Sequence, residues 1–302
     1  MCTRLIWLQR ACPTDTILAM EQCPWSNRQL ERLGTQIRDR SEPDPSLPSY
    51  SEVMLWYNDL ATLVQKRIER IDWSPLLGDR VPEITSRPKT IDTLRDKLIR
   101  QGKTPLGRIG DIAGVRFEAE MTLSEQDAVA VAIAGAFDHR PEDAVRDLRA
   151  DPHSGYRAVH LRLKLQRYVE VQVRTHLQGE WANLYEAAGD LWGRDIRYDG
   201  LPTTPAAARL VEALREYSSS TIARFEESYD LLQKSELALA EAAGHIERLV
   251  PRSRRERKLI EDYQEQKRTI EELHVEQSER GTAMRSLLSD ARISLQKAKR
   301  GA

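Results

Sequence analysis

The chain has 302 residues, enough for one large domain or two modest ones, with 31% charged and 40% hydrophobic residues. Lys and Arg number 46 against 47 Asp and Glu, so net charge favours neither a nucleic acid nor an acidic partner, and any basic patch must be local. The three cysteines, Cys2, Cys12 and Cys23, lack partnering histidines, which argues against a disulfide framework or a zinc module, and no apolar run reaches the ~18–20 residues that span a bilayer.

In chain order, Met1–Met20 carries an apolar run broken by Gln9, Arg10 and Pro13, a poor signal peptide. It reads as a leader or as sequence ahead of a second start at Met20, and the expected location is the cytoplasm. Asn27–Arg40 has a helical pattern. Pro43, Pro45 and Pro48 then impose a loop. Ser49 or Ser51 can cap a helix from about Glu52 to Ile71, with Val53, Trp56, Leu60, Leu63, Val64 and Ile68 at three-and-four spacing. A turn-rich stretch follows. Thr90 then caps a helix running to about Arg100, with Asp92 in its first turn.

Ile112–Glu118 reads as a strand, and Ser124 opens an apolar helix ending near Phe137. Val159–Leu165 and Val169–Arg174 alternate apolar and polar residues across a three-residue link, which predicts an antiparallel hairpin. A helix from about Thr175 to Gly193 follows. From about Pro205 to Ala302 the chain is helix-forming, interrupted at Pro251. Leu259, Tyr263, Ile270, Leu273, Met284, Leu287 and Ala291 fit an approximate heptad, which a coiled coil or a helical hairpin on the core would satisfy equally.

The hairpin is the informative segment. Alternation places Glu170, Gln172 and Arg174 on one face, with His160, Arg162 and Lys164 on the polar face of the partner strand. A half-exposed sheet with no function gives the same alternation, but a carboxylate, an amide, a histidine and several cations together are unusual for a merely solvated face. Asp111 opens another strand, and adjacency to the hairpin would bring it to Glu170. Two carboxylates among Arg and Lys suit a hard cation with phosphate oxygens; ordinary surface ion pairs are the plain alternative. Upstream, Arg87 and Lys89 precede a helix carrying Thr93 and Lys97 on one face. No glycine-rich P-loop or dinucleotide fingerprint is present.

Four segments in this order resemble the synthetase domain of RelA/SpoT alarmone enzymes over about residues 50–200. They are Arg87-Pro88-Lys89 with Thr93 and Lys97, Asp111–Arg116, Gly155–His160 and Glu170–Thr175. The resemblance implies an α/β (α+β) fold, a mixed sheet flanked by helices of the nucleotidyltransferase-like synthetase kind, here with a helical C-terminal extension. Residues 1–48 would form the leader and a short helix, 49–204 the synthetase domain and 205–302 the extension.

It further implies Mg²⁺-dependent transfer of pyrophosphate from ATP to the 3′-hydroxyl of GDP or GTP. Arg87 and Arg116 would stack on adenine, and Lys89, Thr93 and Lys97 would hold the ATP phosphates. Asp111 and Glu170 would be the catalytic pair and hold the metal, with Glu170 also activating the acceptor hydroxyl. Tyr156, His160, Ser154 and Arg174 would form the acceptor side.

The loop before Tyr156 departs from the family pattern. Where the family reads Lys-Asp-Tyr, Pro-Lys and Asn-Gly-Tyr, this chain has Arg146-Asp147-Leu148, Pro152-His153 and Ser154-Gly155-Tyr156. No His-Asp metal motif of the family's hydrolase domain is visible. Two other readings therefore stand beside the first. One is a toxin-type synthetase modifying the tRNA 3′ end, for which Arg252, Arg254, Arg255, Arg257 and Lys258 could supply an RNA contact or merely a solvated helix start. The other is a catalytically silent nucleotide-binding regulator. The C-terminal helices are expected to support homo-oligomerisation.

Overall fold

Capped helices and strands alternate along the chain as far as Thr175, and helices build the rest. A computed structural model describes residues 22–102, 104–246, 248, 250 and 253–301. The leader with Cys2 and Cys12, and Pro251 with Arg252, lie outside the described residues. Helix α1 (Asn27–Asp39) starts at a capping box of Ser26 and Gln29. Helix α2 (Tyr50–Glu69) starts at a second box of Ser49 and Glu52, so Ser49 rather than Ser51 is the cap and the helix begins earlier than expected. The single turn α3 (Ser74–Leu77) leads to strand β1 (Glu83–Pro88), which the sequence pattern did not announce. Thr90 caps α4 (Ile91–Gln101) as expected.

Strand β2 (Ala113–Ala119) is followed by α5 (Leu123–Ala136), the turn α6 (Pro141–Ala144) and the three-residue strand β3 (Val145–Asp147). The expected hairpin is β4 (Val159–Lys164) with β5 (Tyr168–Thr175). The five strands form one mixed sheet in the order β1-β2-β5-β4-β3. β1 with β2, β4 with β5 and β3 with β4 pair antiparallel. Val115, Phe117, Leu161, Leu163, Val169, Val171 and Val173 are fully buried on one face. The other face carries Thr85 opposite Arg116, Arg162 opposite Glu170 and His160 opposite Gln172. Burying the valines and leucines fixes the register, since a one-residue slip would turn Glu170 and His160 into the core.

The remaining helices are α7 (His176–Trp192), α8 (Pro205–Glu216), a π turn at Tyr217–Ile222, α9 (Ala223–Ile246) and α10 (Arg254–Gly301). The chain divides into two compact units. The first comprises residues up to Glu120, Glu125–Leu148 and Ala158–Arg174, and so contains the whole sheet except its final residue, Thr175. The second comprises Met121–Ser124, Arg149–Arg157 and Thr175 onward.

In the second unit, Leu177, Trp181, Leu184 and Ala188 of α7 bury against Val211, Ile222 and Leu288. Helices α7 and α10 run parallel: Arg285 meets His176 at 3.0 Å, Arg292 meets Glu180 at 3.8 Å and Lys299 meets Asp190 at 3.3 Å. Helices α9 and α10 run antiparallel, with Gln277 bonded to Ser228 and His274 against Tyr229. Of the two arrangements open from the heptad, the helical hairpin on the core is the one formed. Among the described residues no helix is long and apolar enough to cross a membrane.

Candidate functional site

On the first unit, the β1–α4 link and the turn before β2 bring three charges together. Asp111 stands in that turn, not in the strand as its sequence suggested. Its carboxylate lies 2.5 Å from Lys89 Nζ through Oδ2 and 2.7 Å from Lys97 Nζ through Oδ1. Lys89 is the link residue, and its carbonyl accepts a hydrogen bond from the Tyr50 hydroxyl at 3.1 Å. Lys97 projects from the second turn of α4. All three side chains are only 16–22% exposed, so the two ammonium groups depend on the carboxylate for neutralisation. Burial pushes the Lys89 ammonium down from its ordinary pKa, and Asp111 partly offsets this.

Glu170 sits in β5 at the centre of a second cluster. His160 Nδ1 lies 3.3 Å from its Oε1, and Gln172 Nε2 donates to its Oε2 at 2.8 Å. Burial pushes this carboxyl up. His160, Gln172 and the Lys97 charge outweigh burial and hold it at about 2. Glu170 also raises the Lys89 ammonium. The fields of the two lysines therefore join Asp111 and Glu170 into one electrostatic group.

Arg174, expected on the acceptor side, is buried and committed elsewhere. It donates to Gln172 Oε1 at 2.5 Å and pairs with Glu118 at 3.3 Å. The chain Glu118–Arg174–Gln172–Glu170 thus orients the Glu170 carboxylate from behind. Sequence reading placed Gln172 on this face without a role and missed Glu118, although its position two residues beyond Arg116 on β2 already put it on the same face. Arg162 covers the Tyr168 ring at 3.8 Å.

Thr93 lies in the first turn of α4, one turn before Lys97, and its hydroxyl donates to the Thr90 carbonyl at 2.8 Å. Arg116 is half-buried on the polar face opposite Thr85. Arg87 pairs with Gly114 through the β1–β2 ladder, and its side chain lies outside the described residues.

Tyr156 and Ser154 belong to the second unit. Ser154 adopts a left-handed conformation with φ 52°. Its hydroxyl donates to Asp199 Oδ1 at 2.8 Å and accepts from the Asp199 amide at 3.1 Å. Ser154, expected on the acceptor side, is therefore a buried clasp within the loop, with its hydroxyl engaged by Asp199. Tyr156 is half-buried against the cluster built on Trp181 and Leu177.

The donor set suits a hard divalent cation. Among the described residues no group of three or more His, Cys, Asp or Glu is placed to hold a metal. Two carboxylates beside lysines would leave most ligands of such a cation to come from water and phosphate, which is how Mg²⁺ binds.

A family model described as a region found in RelA / SpoT proteins matches residues 86–189. A 196-residue stretch is 48% identical to an uncharacterized protein of Mycobacterium tuberculosis, covering 64% of this chain and 69% of that one. Among solved structures, the small alarmone synthetase 1 from Bacillus subtilis is 20% identical with a TM-score of 0.42, covering 63% of this chain and 94% of its own. A GTP pyrophosphokinase family protein from Streptococcus pneumoniae is 17% identical with a TM-score of 0.44, covering 61% and 96%.

Proposed function

This chain belongs to the RelA/SpoT family, and on that premise we propose that it is a Mg²⁺-dependent pyrophosphokinase moving the β,γ-pyrophosphoryl group of ATP to the 3′-hydroxyl of a guanine nucleotide, with AMP leaving and the hydroxyl proton released. The observation that supports this reading best is the Lys89–Asp111–Lys97 group together with Glu170. It supplies two cations for a polyphosphate and two carboxylates for a metal on one unit.

Lys89 and Lys97 bind the ATP phosphates by exchanging Asp111 for phosphate oxygens, which suits a transfer that needs charge neutralisation more than covalent chemistry. Asp111 and Glu170 would hold Mg²⁺, which when bound neutralises the phosphate charge. Arg87 and Arg116 hold adenine, with Thr93 beside the phosphates. On the acceptor side, Tyr156 stacks the base and His160 meets the acceptor phosphates.

A carboxyl held at about 2 is fully ionised at neutral pH but is a weak proton acceptor. So held, Glu170 is fitted to bind and orient. It becomes an effective base only when an arriving hydroxyl and phosphate draw His160 and Gln172 away from it. Arg174 acts through Gln172, outside the acceptor contact.

The test is an acceptor panel. ATP labelled at the γ-phosphorus is incubated with GDP, GTP, ATP or deacylated tRNA in Mg²⁺. Label on GDP or GTP is the expected result. Label on tRNA would replace the guanine nucleotide by an RNA end, and no labelled acceptor would leave a nucleotide-binding regulator.

A further inference from the structure

The loop that carries Tyr156 is built into the C-terminal helices. Residues 149–157 belong to the second compact unit together with α7–α10, and each of the last four is fastened there. Ser154 is clasped by Asp199, as described above. Gly155 has φ +81°, and a Cβ on it would come within 2.9 Å of Arg215 Cα and 3.0 Å of the Trp181 ring. Only glycine permits so close an approach in that conformation. The approached segment is itself fixed, because Trp181 Nε1 donates to the Leu214 carbonyl at 2.7 Å and Arg215 donates to the Tyr185 hydroxyl and the Gly200 carbonyl. Tyr156 packs on the same cluster.

Arg157 closes the set. Its guanidinium lies 2.6 Å from Glu226 Oε2 of α9, and both side chains are 4% exposed. Glu226 also accepts from Thr175 Oγ1 at 2.5 Å and from Gln178 Nε2 at 3.2 Å. One carboxylate therefore ties the residue next to Tyr156 to the N-terminal cap of α7. Apolar residues of the same volume would serve stability as well as a buried ion pair does. What the pair adds is a single permitted position for the loop. Glu226 lies beyond the region the family model matches, residues 86–189.

We infer that Glu226 is a positioning residue for acceptor recognition, acting through Arg157 on Tyr156, and that the C-terminal extension thereby sets the acceptor side of the reaction. This rests on the pyrophosphokinase reading for its kinetic consequence and on the geometry alone for its structural one. Displacing a recognition group by about 1 Å can cost roughly a hundredfold in rate. A loosened Tyr156 therefore affects the acceptor while Lys89, Asp111 and Lys97, which belong to the other unit, keep ATP.

The test uses the full chain with Glu226→Gln, which keeps the volume and removes the charge. The KM for the guanine nucleotide is expected to rise about tenfold or more, with the KM for ATP changed less than about twofold. Amide hydrogen exchange is expected to quicken in residues 149–157 and to stay unchanged in 83–97. Arg157→Lys, which keeps the charge but not the guanidinium that meets Glu226, should show the same pattern more weakly. It also carries the test if Glu226→Gln does not fold. Equal rises in both KM values, or unchanged kinetics, would overturn the inference. If the wild-type chain labels no acceptor, the pyrophosphokinase reading fails and the exchange measurement decides alone. Selective quickening in 149–157 then sustains the positioning role, and unchanged exchange removes it.

Discussion

At the scale of single residues, the decisive feature is that Lys89 and Lys97 both pair with Asp111. Asp111→Asn should therefore separate two properties that usually fall together. It leaves the lysines without a competing anion, so metal-free ATP should bind at least as tightly in excess chelator. Transfer in Mg²⁺ should fall by about 10²-fold or more, as for loss of a group that acts on developing charge. Titration of ATP in chelator and single-turnover transfer of label check the two halves; a parallel loss of both would dissolve the assignment.

A second residue-scale prediction concerns Tyr57, which is 1% exposed and whose hydroxyl has no hydrogen-bond partner among the described residues. Burial pushes its phenol from 10 to about 12. Because the folded pKa lies above the unfolded one, this contribution to stability is complete below pH 10 and lost as pH rises toward 12. Tyr57→Phe should remove that part of the alkaline decline. At pH 8 it should be neutral or stabilising by up to about 1 kcal/mol, since it deletes a polar group buried without a partner. Denaturant midpoints at pH 8, 10 and 11 measure both effects.

At the scale of elements, α10 gives the clearest contrast between pattern and packing. Ile270, Met284 and Ala291 face inward as the heptad proposed, with Gln277 on the same seam, but the intervening positions are His274, Gly281 and Leu288 rather than Leu273 and Leu287. Gly281 explains the shift: a Cβ there would lie 3.1 Å from Phe225 Cζ, so the missing side chain admits the ring. Leu288 is 2% exposed and Leu287 60%. Leu288→Ala should cost about 2–5 kcal/mol, as buried leucines do, and Leu287→Ala within roughly 0.5 kcal/mol, read from thermal or denaturant unfolding.

The β4–β5 hairpin and the capped helices were legible because alternation, caps and turn length agreed. β1 was not, because Pro82 precedes it, Pro88 ends it and Ile84 is the one apolar residue between them, too few to show a period. β3 is three residues long, too short to show any period. In the site, Lys89, Lys97, Asp111 and Glu170 were legible as charges on adjoining segments. Glu118 behind Arg174 and the use of Ser154 by Asp199 were not, since both depend on partners distant in sequence.

At the scale of the whole chain, the division into units differs from a simple succession of domain and extension. Residues 121–124, 149–157 and everything from Thr175 cluster together, so a cut after residue 204 falls inside one unit. It removes Glu226 from Arg157 and the Leu214 carbonyl from Trp181, and strips Val211, Ile222 and Leu288 from the cluster around Leu177 and Leu184. Removing one partner of a buried ion pair alone costs about 3–5 kcal/mol, a large share of the roughly 5–15 kcal/mol that holds a domain folded. The fragment ending at residue 204 should therefore expose apolar surface, bind a hydrophobic dye and change its elution on sizing columns relative to the full chain. Lys89, Lys97, Asp111 and Glu170 all lie in the unit that keeps its sequence entire. Held in solution by a carrier fusion, the fragment should still bind ATP within about threefold of the full chain while losing the acceptor. A fragment that stays soluble and dye-negative, and that uses the acceptor as the full chain does, would show that the C-terminal helices contribute neither stability nor acceptor geometry.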